Sequence, residues 1–97
     1  MSLPIILSPA AEREVDAAAD WYEQEAGLGA RFVTSVQETL DRIEQMPELH
    51  PVIYKQVRRG RVTPFPYNIL YRILLDRIEV IAVVHSRRHP SVWKDRA

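Results

Sequence analysis

The hydrophobic pattern changes its period once, near residue 50, and this change is the strongest constraint on the fold. Up to Met46 apolar residues recur at the spacing of helices, and from Val52 onward they recur at the two-residue spacing of strands. Helices that precede strands in this way are typical of α+β domains. We predict the order β-α-α-β-β-β, with a helical hairpin packed on one face of a small, mainly antiparallel sheet. A chain of 97 residues, 46% of them hydrophobic, has room for one such domain, residues 1–97.

Two amphipathic helices are predicted between residues 8 and 47. Ser8 is a suitable N-cap and Pro9 suits the first helical position, while the glycines at 27 and 29 interrupt the helix. A second helix follows over residues 30–46 and ends at Pro47. The predicted core stripes are Ala11, Val15, Ala18, Ala19 and Tyr22 in the first helix and Phe32, Val33, Val36, Leu40 and Ile43 in the second.

The strands are predicted from β-branched and aromatic runs. Residues 5–7 form a short first strand, and residues 52–62 form a basic, β-rich stretch. A turn rich in proline leads to a strand at 69–74, and Asp76-Arg77 connects it to a partner strand at 78–85. Because residues 80–84 are apolar on both faces, we expect that strand to lie inside the sheet rather than at its edge.

Charge is divided between the two halves of the chain. Residues 1–50 carry three basic and ten acidic side chains, whereas residues 51–97 carry ten basic and three acidic ones, so a net charge of zero joins halves of −7 and +7. A basic half predicts an anionic partner, either nucleic acid or an acidic protein surface. We expect its arginines to form a cationic face on the side of the sheet that the helices leave uncovered.

Composition excludes several classes of site. The sequence has no cysteine, which rules out disulfides, thiolate zinc sites and cysteine nucleophiles and fits a reducing compartment. Three glycines are too few for a P-loop or a dinucleotide-binding loop. No apolar run approaches the ~20 residues of a membrane span, and the N-terminus lacks the pattern of a signal peptide. We therefore expect a cytoplasmic location and no cofactor. No metal site is expected either, since no third ligand accompanies His85 and His89.

Arginine and histidine side chains are the candidates for function. Arg72 interrupts an apolar strand, so it either pairs with Glu79 on the next strand or contacts phosphate or an acidic protein. His85 ends the central strand beside several arginines, where it is either a general acid or base for RNA cleavage or a structural residue hydrogen-bonded into the fold. Strand alternation puts Arg59 and Arg61 on one face, opposite to Arg58 and Gly60. The residues predicted to contact the anionic partner are Arg58, Arg59, Arg61, Arg72, Arg87 and Arg88.

Two segments carry a resemblance to a known family. Residues 65–72 read Phe-Pro-Tyr-Asn-Ile-Leu-Tyr-Arg, and residues 78–88 form an apolar strand that ends in His-Ser-Arg-Arg. With the order of elements, they make the whole chain similar to the RelE/ParE superfamily of toxins from bacterial type II toxin–antitoxin modules. The resemblance implies a growth inhibitor that is neutralised by a cognate antitoxin in a hetero-oligomer.

The resemblance leaves the mechanism open between two branches and an inactive form. ParE-like members poison DNA gyrase by protein contact, whereas RelE-like members are ribosome-dependent mRNA endonucleases, and Arg61, Arg72 and His85 resemble nuclease positions. The acidic helices and the Phe65-Pro66-Tyr67 turn favour the ParE-like branch, as does the absence of a lysine-rich strand and of a C-terminal tyrosine. We therefore favour a non-enzymatic gyrase poison. The alternatives are an mRNA endonuclease and a non-toxic binding module of the same fold.

Overall fold

Two α-helices pack on one face of a five-stranded sheet in the computed structural model, which describes residues 2–97. This is the predicted α+β architecture, and it is confirmed. The elements are α1 (Pro9–Ala26), α2 (Gly29–Gln45), β1 (Ile5–Leu7), β2 (Val52–Tyr54), β3 (Val57–Val62), β4 (Tyr67–Ile73) and β5 (Ile78–His85). Short 3₁₀ turns lie at Pro47–Leu49, Pro90–Val92 and Lys94–Arg96.

The strands lie in the order β1-β5-β4-β3-β2. Within residues 2–97, β1 pairs with β5 in parallel and the other three pairs are antiparallel, so the prediction of a mainly antiparallel sheet is correct. The apolar strand β5 lies between β1 and β4, as its two apolar faces predicted. Residues 52–62 form two strands rather than one stretch, because Lys55 has a φ of 50° and reverses the chain.

Local hydrogen bonds explain where the first helix begins and ends. The Ser8 hydroxyl accepts the Ala11 N–H at 3.1 Å, while the Ser8 N–H donates to the Val80 carbonyl at 2.9 Å. One residue therefore caps α1 and joins it to β5. At the other end Gly27 adopts a φ of 67°, a left-handed conformation that glycine reaches without strain, and the chain turns into α2.

The main core lies between the helices and the face of the sheet that they cover, here called the helix face. Phe32 and Ile43 are fully buried in it, as the helical stripe predicted. The inclusion of Val33 in that stripe is wrong, since its side chain is 46% exposed and Thr39 is buried instead. The buried arc of α2 is centred on positions 32, 36, 39, 40 and 43, and Val33 lies about 100° round the helix from Phe32.

The opposite face of the sheet, here called the outer face, carries a second and smaller core. Trp93, only 6% exposed, packs there with Leu70, Ala82 and Val84. The C-terminal segment, residues 90–97, therefore covers part of the face that we expected to be open. A bulge in β5 opposite Leu70 and Tyr71 places both Ile81 and Ala82 toward this second core.

Candidate functional site

A pocket of about 290 Å³ lies between the outer face of the sheet and the C-terminal segment. We call it the outer-face pocket. Strands β3 and β4 form its floor, and the turn after β5 and the segment around Trp93 form its walls. Its charged and polar lining side chains include Arg59, Asn68, Ser86, Arg88 and Lys94, and no carboxylate lines it.

Strand alternation explains why Arg59 points into this pocket. Arg59 lies opposite Leu70 in the β3–β4 ladder, and Leu70 belongs to the outer core. The next residue, Gly60, therefore faces α2, which matches the predicted division of the two faces. The Arg59 Nε atom is buried and has no hydrogen-bond partner among residues 2–97. A buried guanidinium N–H without an acceptor is unfavourable, so Arg59 carries an unsatisfied donor beside this pocket.

The wall of the pocket is held by backbone hydrogen bonds of the turn after β5. The Ser86 N–H donates to the Pro66 carbonyl at 2.8 Å, and the Arg88 N–H donates to the His85 carbonyl at 3.0 Å. His85 Nδ1 accepts the Arg87 N–H at 3.1 Å. These bonds tie the exposed Arg87 and Arg88 to the end of β5, so the backbone that carries both cations is fixed.

The opposite wall is held by aromatic contacts. The rings of Tyr54 and Trp93 meet edge to face with 5.8 Å between their centres. Lys94 Nζ lies 4.7 Å from the centre of the Tyr54 ring, a cation–π distance. The Lys94 ammonium group is thereby kept beside the pocket.

Two of the predicted partner-binding arginines are engaged within the fold. Arg72 Nε donates to Glu79 Oε1 at 2.9 Å, and Arg72 Nη2 lies 2.8 Å from the same oxygen in an ion pair, so Arg72 takes the structural alternative predicted for it. Arg58 Nη1 donates to the carbonyls of Glu48 at 3.0 Å and His50 at 2.7 Å, toward the helix side of the sheet. Arg58 therefore faces the helix side, as strand alternation predicted, whereas Arg72 lies on the outer face and is neutralised there by Glu79.

The residues suggested for a nuclease site do not come together. Arg61 is exposed on the outer face opposite Asn68, and Arg72 lies four positions further along β4 than Asn68. At the rise of a β-strand that separation is about 13 Å. His85 lies at the end of β5 against the Tyr67 ring, with 5.4 Å between ring centres. Arg61 and Arg72 therefore do not both reach one phosphate, whereas His85 lines the outer-face pocket with Arg59 and Arg88.

Burial keeps nearby phenols neutral. It raises the pKa of Tyr67, an effect that Arg88 partly opposes, and it raises the pKa of Tyr71 to about 12. Tyr67, the aromatic neighbour of His85, is therefore protonated at neutral pH and is not a base in this state.

Within residues 2–97 no group of three or more histidine, aspartate or glutamate side chains is arranged to hold a metal ion. None of the helices over that range combines the length and apolar character of a membrane span.

Comparison with known proteins identifies the family. Residues 5–90 match the family described as ParE toxin of type II toxin–antitoxin system, parDE. The chain belongs to the ParE toxin family. It is accordingly a ParE-like toxin of a type II toxin–antitoxin module, and the predicted resemblance is confirmed.

Individual relatives agree with this assignment. Toxin ParE2 of Mycobacterium tuberculosis, in strains CDC 1551 / Oshkosh and ATCC 25618 / H37Rv, is 32% identical over 76 residues, which cover 78% of this chain and 67% of the relative. A solved structure titled "Chromosomal ParDE TA system from P. aeruginosa" superposes with a TM-score of 0.77 at 17% identity, covering 86% of this chain and 95% of that one. The structural match shows that the fold is shared.

Sequence reasoning missed part of the outer-face pocket. The predicted strand at 69–74 leaves out Asn68, although β4 begins at Tyr67 and two-residue alternation from Leu70 places Asn68 on the outer face. Ser86 and Lys94 carried no signal, because their positions depend on how the C-terminal segment folds back over the sheet. Only the tertiary structure brings them beside Arg59.

Proposed function

We propose that this ParE-like toxin inhibits growth by binding DNA gyrase and that a cognate antitoxin neutralises it. The match to the ParE family over residues 5–90 is the observation that carries this proposal. We infer DNA gyrase as the target from the resemblance of the sequence to the ParE-like branch. Inhibition then results from protein contact, without turnover by the toxin itself.

The separation of Arg61 from Arg72 bears on the choice between binding and cleavage. Phosphodiester cleavage needs an acid or base and a cation within hydrogen-bond reach of the same phosphate. Here Arg72 is ion-paired with Glu79, and Arg61 lies about 13 Å along the sheet from it. This arrangement argues against the particular set of Arg61, Arg72 and His85 as a nuclease site.

The antitoxin is proposed to cover the cationic part of the outer face with an acidic segment. Arg59, Arg61, Arg88 and Lys94 present this charge, and they have no ion-pair partner within residues 2–97. A flexible acidic segment can fold as it binds such a surface. We expect the affinity of the complex to fall as salt is raised, since exposed charge pairs are screened.

Paired assays with the purified chain test the proposal. Gyrase supercoiling should be inhibited at micromolar toxin, and addition of the antitoxin should restore it. Translating ribosomes incubated with the same preparation should show no toxin-dependent cleavage of mRNA. The double variant of Arg72→Ala and His85→Ala is the control for any cleavage that is seen. Unaffected supercoiling together with cleavage that this variant abolishes would replace the proposal with the endonuclease.

A further inference from the structure

The outer-face pocket has the features of an oxyanion site rather than of a general docking surface. Three cationic side chains, Arg59, Arg88 and Lys94, line one pocket of about 290 Å³, and no carboxylate lines it. The ion-paired arginines within residues 2–97 lie outside the pocket: Arg72 pairs with Glu79, Arg77 with Asp76 and Arg96 with Glu14. The charge in the pocket is therefore not neutralised from within residues 2–97.

The Arg59 guanidinium gives a second observation that points to a ligand, independent of the charge of the lining. Its Nε is buried and lacks an acceptor among residues 2–97, although nearly all buried polar groups in proteins have one. Asn68 and Ser86 line the same pocket and add neutral hydrogen-bond donors. An oxygen ligand in the pocket would meet the surrounding positive charge, and it would accept from this N–H once the Arg59 side chain turns toward it.

The apolar part of the lining distinguishes between classes of ligand. Leu70, Val84 and Trp93 lie beside the charged groups, and Trp93 is only 6% exposed. Single-stranded nucleic acid is bound by exposed aromatic faces on which bases stack, and a covered indole does not offer one. A glutamate or aspartate on a peptide, flanked by apolar residues, matches both parts of this lining.

We propose that the outer-face pocket is a carboxylate-binding site that takes one acidic side chain of a partner protein. Arg59 and Arg88 contact the carboxylate, Lys94 adds positive charge from the opposite wall, and Asn68 and Ser86 hydrogen-bond the surrounding peptide. This inference rests on the proposed function in one respect: the partner is a protein with an acidic segment. It adds the site and the chemical group that the site recognises.

Titration of the isolated chain with a capped peptide of six glutamates tests the site by NMR. The expected result is a shift of the Arg59 Nε–Hε and Asn68 side-chain amide resonances, with weaker binding at high salt. A capped peptide of six serines should leave these resonances unmoved. Neither gyrase nor an antitoxin is present, so a failure of the gyrase assay leaves this result standing.

Two matched pairs of variants separate the pocket from general charge. Arg59→Gln and Arg88→Gln should each weaken binding of the glutamate peptide about tenfold, because each removes a charge-assisted hydrogen bond. Arg13→Gln and Arg31→Gln remove the same charge from exposed positions on the helices, outside the pocket, and should change the affinity less than about twofold, as screened surface charges do. Equal effects of Arg59→Gln and Arg31→Gln would overturn the proposal.

Two further ligands decide between sources of the oxyanion. A hexathymidylate oligonucleotide and inorganic phosphate are titrated under the same conditions. Weaker binding of both than of the glutamate peptide supports the assignment. Tighter binding of the oligonucleotide, with shifts at Arg59 and Asn68, would overturn it in favour of a nucleic-acid site.

Discussion

Gly60 shows how one missing side chain allows a helix to pack closely on a strand. A Cβ added at this position would lie 2.8 Å from Ile43 Cδ1 and 3.3 Å from Thr39 Cγ2. The close approach is made by side chains of α2, and the β3–β4 register continues through Gly60 without a bulge.

We expect Gly60→Ala to lower the free energy of unfolding by about 1–3 kcal/mol, since overpacking displaces a buried side chain. Urea denaturation monitored by circular dichroism measures this. Ile43→Val removes the atom that clashes, so the double variant should lose less stability than the sum of the two single variants. If the two changes in unfolding free energy were strictly additive, the destabilisation by Gly60→Ala would arise from the strand backbone and not from the contact with Ile43.

His50 gives the fold a dependence on pH. Burial lowers its pKa below the ordinary 6.5, and the positive charges of Arg42 and Arg58 lower it further. The unfolded chain therefore binds a proton more readily than the folded one. This contribution to stability is present above about pH 6.5 and is lost as the pH falls from there toward the lower pKa of the folded state.

We expect the free energy of unfolding to fall less between about pH 7.5 and about pH 5.5 in His50→Gln than in the original chain. These two pH values lie about one unit on either side of the ordinary histidine pKa. Urea denaturation of both proteins at the two pH values gives the comparison. Because other groups titrate equally in the two proteins, the difference isolates His50. An identical loss of unfolding free energy in both proteins would show that His50 does not contribute to the pH dependence.

At the scale of elements, Glu14 joins α1 to a part of β5 that lacks a neighbouring strand. β1 ends at Leu7, opposite Val80, so the rest of β5 has no strand on that side. Glu14 Oε1 accepts the Val83 N–H at 3.0 Å and pairs with Arg96 Nη1 at 3.0 Å, and Arg96 also donates to a β5 carbonyl. Helix, strand edge and C-terminal segment therefore meet at one carboxylate.

Glu14→Ala is expected to lower the free energy of unfolding by about 1–3 kcal/mol, because it leaves a half-buried arginine and a backbone N–H without their acceptor. Hydrogen exchange at the Val83 amide should become faster. Asp76→Ala is the matched control: it breaks an ion pair in which Asp76 is 75% exposed, and its effect should stay below about 0.5 kcal/mol. Equal effects of the two substitutions would contradict the role given to Glu14.

The whole molecule has two cores on the two faces of one sheet, and its two tryptophans report on them differently. Trp93 is 6% exposed in the outer core, whereas Trp21 on α1 is 56% exposed. We expect Trp93→Ala to lower the free energy of unfolding by about 3 kcal/mol, as the loss of a buried aromatic side chain does. Trp21→Ala should change it by less than about 1 kcal/mol.

Fluorescence tests whether the C-terminal segment folds with the rest of the domain. In a Trp21→Phe variant the emission comes from Trp93 alone and should resist quenching by iodide. Its unfolding curve in urea should coincide with that of the circular dichroism signal, as expected for a two-state domain. A fluorescence change at a lower urea concentration would mean that the segment detaches before the domain unfolds.

The fold could be predicted because short-range rules decide most of it. Ser8 and Pro9 begin a helix by local capping, and residues 80–84, apolar on both faces, require burial on both sides. The split of residues 52–62 was missed because a positive φ at Lys55 has no strong sequence signal, unlike one at glycine.

The sequence by itself determined the α+β class, the layer of helices on the sheet, the assignment to the superfamily and the concentration of basic residues in the second half. Only the tertiary structure decided which arginines are available. Cross-strand register placed Arg72 against Glu79, and the path of the C-terminal segment brought Lys94 to the pocket that holds Arg59. The physical reason is that helical and strand periods act over a few residues, whereas pairing and desolvation of charges depend on contacts between distant parts of the chain.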